Sequence, residues 1–154
     1  MPIITFTKVT LPYGWLGNMS PHRVKYNDRW WETTEALFQA LRFEDGEVQE
    51  EIRSQKSPMS AKMKAKRHKE RRVVEPTSPQ DLENMRIVLK LKLRYHPGLN
   101  KQLLATGDAE IIEDCSNRGA SPWGARYRDG VWVGGNLLGK QWMELRTELA
   151  SAET

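Results

Sequence analysis

A chain of 154 residues is long enough to bury about two thirds of the surface its unfolded form exposes, so it can sustain one domain with its own core. Its single cysteine, Cys115, rules out an internal disulfide, and no apolar run approaches the roughly 20 residues of a membrane helix. The net charge of +4 hides its distribution: "KMKAKRHKERR", Lys62 to Arg72, holds seven basic residues and one acid, which leaves 17 basic and 19 acidic residues in the rest of the chain.

In chain order, "IITF" reads as a strand and "RVKYNDRWW" as a hairpin turning at Asn27 and Asp28. Thr33 or Thr34 can cap a helix that runs to about Phe43, and a short helix follows from about Glu47 to Ser54. Ser57 then caps a helix with Pro58 in its first turn, and Ser78 with Pro79 repeats that signature. Leu82, Met85, Leu89 and Leu93 keep helical spacing until "HPG" breaks it. Pro97 restarts a helix that closes at Gly107. "AEIIED" and "VWV" read as strands, and a last helix from about Asn136 to Leu149 carries the core stripe Leu138, Trp142, Leu145 and Leu149.

These elements predict one mostly helical α+β domain over residues 1–154, with "EPTSPQ" as the only hinge signal and strands too few for a doubly wound sheet. No signal peptide is recognisable at the start, and a soluble cytoplasmic protein is expected. His22, His68 and His96 lie far apart, so no metal and no cofactor is expected. The basic segment reads either as a solvated helix face or as a nucleic-acid contact through Lys62, Lys64, Lys66, Arg67, Lys69, Arg71 and Arg72.

"TTEALFQALRF" winds into a helix that is apolar nearly all round except for Glu35, Gln39 and Arg42 at i, i+4 and i+7. That stripe could face solvent, form an internal ion pair or line a pocket. The pocket reading uses all three groups: Glu35 orients water or meets positive charge, and Arg42 grips a phosphate. "GGNLLGK" fails as a P-loop, because Gln141 stands where magnesium needs Ser or Thr. Gly134, Gly135 and Asn136 could still open a helix whose free N–H groups hold a phosphate, or form a plain turn. Trp30, Trp31 and Trp142 fit core positions, whereas Trp123 and Trp15 lie in Gly-rich loops and are candidates to stack on a flat ligand. Asp114 ends a strand beside that loop, and Cys115 reads as a small buried residue.

Four stretches, "YGWLGNMSP", "WETTEALFQALRF", "SPMSAKMKAK" and the tail from Leu103 to Arg146, resemble the NADAR (YbiA-like) family, named for NAD and ADP-ribose, over nearly the whole chain. The resemblance implies a mostly helical α+β fold and an N-glycosidase that cuts a ribose C1′–N bond. Two substrate classes come with it: guanine bearing ADP-ribose, and phosphorylated ribosylamino-pyrimidine intermediates of riboflavin synthesis. By that analogy Glu35 matches the family's motif glutamate, Trp123 and Gly124 its Trp-Gly pair, Asn18 its first-motif asparagine, and Asn136 with Gly139 its terminal motif.

The chain departs from the family at Ala36, where many relatives have His, and at Arg42, where many have Lys. An imine mechanism on that lysine would require another lysine here, because guanidinium is not a nucleophile near neutral pH. The tail also lacks an Asp often found before the Trp, for which Asp114 or Asp129 could substitute. Glu35 would then sit near C1′, Arg42 and the turn from Gly134 to Asn136 would anchor phosphate, and Trp123 and Trp15 would stack on base or adenine. A non-catalytic NAD or ADP-ribose module and a nucleic-acid interaction protein are the alternatives.

Overall fold

The computed structural model describes residues 2–152, and within them the chain sorts into two units. One is Asn18–His96; the other joins the residues up to Gly17 with those from Pro97 onward. The divisions fall on either side of the helical middle of the chain, and not at "EPTSPQ".

The unit Asn18–His96 begins with strands β2 (Val24–Tyr26) and β3 (Arg29–Trp31), antiparallel, with Val24 opposite Trp31. Asn27 and Asp28 both adopt positive φ, 50° and 63°, the backbone that a two-residue turn needs to match strand twist. Period-two alternation sends Trp31 inward and Trp30 outward. Trp30, expected in the core, is therefore 39% exposed, with its ring against Tyr95 and the Arg23 guanidinium.

Four helices follow: α1 (Thr34–Ala40), α2 (Gly46–Arg53), α3 (Pro58–Arg67) and α4 (Pro79–Tyr95). Each starts on a side-chain cap. Thr33 accepts from the Ala36 N–H, Asp45 from Glu47 and Val48, Ser57 from Ser60 in a capping box, and Ser78 from Asp81. α1 packs against α2, α3 and α4, so six of its seven residues are buried. It is shorter than its pattern predicts: Leu41 caps it, and Arg42 and Phe43 lie in tight turns bonded to the Gln39 and Ala40 carbonyls.

In the other unit, β1 (Ile3–Phe6) pairs in parallel with β4 (Glu110–Glu113), Phe6 opposite Glu113. α5 (Gly98–Ala105) and α6 (Leu137–Ala152) pack together, and α6 also covers β4. β5 (Arg126–Arg128) and β6 (Val131–Val133) form a hairpin through Asp129 and Gly130, both at positive φ. Trp142 is fully buried on α6, and its indole N–H donates to the Leu16 carbonyl at 2.9 Å. Short strands and predominant helix make this the α+β class expected. No helix among the described residues is long and apolar enough to cross a membrane.

Candidate active site

In the unit Asn18–His96, α1 carries the Glu35 stripe on a rigid support. Asn18 fixes the helix start: its carbonyl accepts the Glu35 N–H at 3.0 Å, and its side-chain oxygen accepts the Thr34 hydroxyl at 2.8 Å. The Asn18 amide donates in turn to the Met85 sulfur of α4. With both ends of its amide engaged, Asn18 positions α1 and is not itself a free ligand contact.

Glu35 is half-buried. Its Oε2 accepts from Gln39 Nε2 at 2.7 Å, the i, i+4 contact that helix geometry provides. Gln39 is buried, and its Oε1 faces Arg42 NH1 at 3.4 Å. Arg42 is buried as well, stacked on the Phe38 ring, with Nε and NH2 each 2.8 Å from one oxygen of Asp81. Asp81 has no exposed surface, and its Oδ2 also accepts the Thr77 N–H at 2.8 Å.

Of the three readings of the stripe, the internal ion pair describes Arg42. The phosphate role expected for it is corrected, because a bidentate buried carboxylate already occupies the fork that a phosphate would need. The sequence hides this partner: an acid in the first turn of α4 reads as an ordinary complement to the helix dipole.

The face of α4 that enters the core holds Asp81, Asn84, Met85, Val88, Leu89, Lys92 and Leu93. The expected stripe is thus displaced by a few tens of degrees, and it includes a lysine. Lys92 is fully buried, and desolvation pushes its amine down from 10.5 to about 7. Its charge is felt at His22, which burial first, then Lys92 and His96, bring down to about 4. His22 Nδ1 lies 2.8 Å from the Ser20 hydroxyl, and the His22 and His96 rings meet edge to face. Lys92 escaped the sequence reading, although Met85, Leu89 and Lys92 at i, i+4 and i+7 already placed it on the core stripe.

In the other unit, the tail motif is built around the segment from Pro122 to Ala125. Its carbonyls at Pro122, Trp123 and Gly124 accept the N–H groups of Leu137, Leu138 and Asn136. The Asn136 side chain takes the Glu113 N–H at 3.0 Å and donates to the Ile111 carbonyl at 2.8 Å. The Asn136 N–H proposed to cradle phosphate, with those of Leu137 and Leu138 after it, is therefore spent on the chain's own loop, and the expectation for Asn136 is corrected.

The glycines serve the same close approach. A Cβ at Gly134, whose φ is +139°, would lie 2.8 Å from the Gly124 carbonyl oxygen, and one at Gly139 would collide with the Ile111 carbonyl. Gly124 itself is needed where the loop crosses β4, since a Cβ there would stand 2.6 Å from the Glu113 oxygen. Trp123, half-buried, is thereby mounted on a segment bonded on both sides.

Trp15 differs from its expectation. A short 3-10 turn, Gly14–Leu16, rolls the ring into the core, where it is 8% exposed and meets Trp142 edge to face at 5.8 Å. A ring enclosed in this way is packing, not a stacking platform. Asp114 is half-buried and its Oδ1 accepts the Ser116 N–H at 2.9 Å, while Asp129 sits in the hairpin turn. Cys115 is buried, with its thiol on the Ala125 carbonyl.

The basic segment forms most of α3 and the turn after it. Lys62, Lys66, Arg67, Lys69 and Arg71 are exposed, Lys64 and Arg72 are half-buried, and Arg71 bonds Asp45. Among the described residues no group of His, Cys, Asp and Glu side chains could hold a metal ion.

The NADAR domain family matches residues 5–150. The N-glycosidase YbiA of Escherichia coli K12 is 36% identical over 149 residues, which cover 96% of this chain and 89% of that one. Its NMR structure matches this one with a TM-score of 0.79 at 31% identity, over 99% of this chain and 87% of that one. An N-glycosidase of Nostoc punctiforme is 30% identical over 149 residues, 95% of this chain and 92% of that one. A riboflavin biosynthesis protein of Vibrio vulnificus is 30% identical over 142 residues, 89% of this chain and 36% of that one. Relatives that share this fold and cover nearly the whole chain are N-glycosidases, hydrolases of N-glycosyl bonds. The chain belongs to the NADAR domain family, among its N-glycosidases.

Proposed function

We propose that this enzyme hydrolyses the C1′–N bond of a ribosylated base, with Glu35 as the carboxylate that meets the positive charge developing at C1′. Such cleavage gives the sugar oxocarbenium character and loads the departing base with negative charge, so it needs a fixed carboxylate on one side. One observation carries the assignment: Glu35 is half-buried, Oε2 is held by the buried Gln39, and Oε1 has no partner among the described residues. A carboxylate tethered by one oxygen, with the other unengaged, is organised for a ligand.

The substrate we favour is guanine carrying ADP-ribose, in nucleic acid or nucleotide, because α3 and its following turn present exposed cations that attract a polyanion. A phosphorylated riboflavin intermediate is the second substrate class, favoured by the likeness to the Vibrio vulnificus riboflavin biosynthesis protein.

The test incubates the protein with an ADP-ribosylguanine oligonucleotide, the free modified nucleotide and the phosphorylated ribosylamino-pyrimidine, with products read by mass spectrometry at low and high salt. Release of free sugar phosphate is expected, and Glu35→Gln should abolish release while calorimetric binding persists. Binding without release by the unaltered protein would identify a non-catalytic ADP-ribose module. Full activity in Glu35→Gln would overturn the assignment.

A further inference from the structure

A buried ion pair such as Arg42 with Asp81 seldom stabilises a fold more than apolar side chains of the same volume, since desolvation offsets the attraction. Its place beneath α1 therefore calls for a second reason, and the hydrogen-bonding polarity of the neighbours supplies one. Arg42 has donors only, and ionised Asp81 has acceptors only. With Nε and NH2 on Asp81, the donor on NH1 is directed at Gln39.

A carboxamide can present its oxygen or its NH2 in either of two orientations, but beside an arginine only the oxygen is tolerated. That forces Nε2 of Gln39 towards Glu35, where it donates to Oε2 at 2.7 Å. A donor at that position requires Oε2 to remain a bare acceptor, so any proton Glu35 exchanges must enter and leave at Oε1.

We propose that Asp81 is a positioning residue for Glu35. Acting through Arg42 and Gln39, it fixes the Gln39 amide with nitrogen towards Glu35, holds one rotamer of the carboxylate and reserves Oε1 for the reacting sugar. The four side chains form a chain of fixed polarity that starts in the core, where Asp81 is also tied to the Thr77 N–H and the Ser78 cap, and ends at the carboxylate. This rests on the reading of Glu35 as the acting carboxylate.

The test replaces the pair as a unit, Arg42→Met with Asp81→Leu, which removes both charges and leaves a volume that apolar side chains fill. Thermal stability should hold or rise, while kcat for the substrate cleaved falls by roughly ten- to a hundredfold with KM within about twofold. The side-chain amide resonances of Gln39, assigned by nitrogen-15 NMR, should shift and exchange faster with water, a readout that needs no turnover. Should the double variant fail to fold, Gln39→Leu removes the middle of the chain without touching the ion pair, and the same loss of kcat is expected.

A purely structural pair would show altered stability with unchanged kcat and unmoved Gln39 resonances, and that result would overturn the proposal. So would wild-type kcat in Gln39→Leu alongside an inactive Glu35→Gln. Activity in Glu35→Gln would refute the assignment of Glu35 instead, and the Gln39 resonances would still decide whether Asp81 sets the amide.

Discussion

Replacing Lys92 by methionine isolates what burying an amine costs the fold. Methionine has nearly the same length and an apolar, adaptable stem, so the core position stays filled. In the folded chain burial holds the amine at about 7, against 10.5 ordinarily. The folded value is depressed, so between those limits the unfolded chain binds the proton and the folded chain sheds it. Stability therefore falls as pH drops from 10.5 towards 7 and levels off below that.

Summing both protonation equilibria, the lysine costs the folded state roughly 4 kcal/mol at pH 7 but only about 1.5 kcal/mol at pH 9.5. Lys92 also makes contacts that methionine loses, and their loss adds a comparable amount at both pH values. The informative quantity is thus a difference of differences. Urea unfolding of wild type and Lys92→Met, followed by circular dichroism at the two pH values, should show the variant gaining on the wild type by roughly 2 to 3 kcal/mol as pH falls from 9.5 to 7. An advantage that is equal at both pH values would mean the amine is not desolvated as described.

Two further outcomes follow from particular side chains. Asn136→Ala leaves the Glu113 N–H and the Ile111 carbonyl without their side-chain partner and places alanine at φ +50°; unfolding free energy should fall by roughly 2 to 4 kcal/mol, and an unchanged urea midpoint would contradict the clamp. His22, at about 4 against 6.5, is protonated in the unfolded chain first, so the wild type should lose stability as pH falls from 6.5 towards 4. His22→Gln should flatten that part of the urea midpoint's pH dependence, and identical curves would refute the assignment.

Much of the helical scaffold was legible because its signals are local. Ser57 with Pro58, Ser78 with Pro79 and Thr33 cap the helices their sequence predicts, and the Asn27 and Asp28 turn has the backbone those residues favour. What failed was long-range. Nothing within "TTEALFQALRF" says that Arg42 meets an acid 39 residues later, since periodicity assigns a face but not what covers it. β5 carries no strand signal in the sequence, because "RYR" is one tyrosine between two arginines and offers no apolar alternation, although "VWV" opposite it does read as a strand. The phosphate reading of Asn136 failed for the same reason, its N–H being claimed by a loop whose position the sequence does not show.

The buried polar groups differ in where their hydrogen-bond chains end, and that difference supports the proposal for Glu35. The chain through Asn136 begins and ends on backbone, at Ile111 and Glu113, so its work is complete within the fold. Asn18 likewise ends on Thr34, Glu35 N–H and Met85. Desolvated polar groups that close on themselves explain a conformation and nothing more. The chain from Asp81 is different: every member up to Gln39 is buried, and the last, Glu35, is half-buried with an oxygen left over. An acceptor of that kind is satisfied by water or by a ligand, and three residues are spent on holding it still. A solvated surface glutamate requires no such support, which is the physical ground for the proposal that Glu35 is the acting carboxylate.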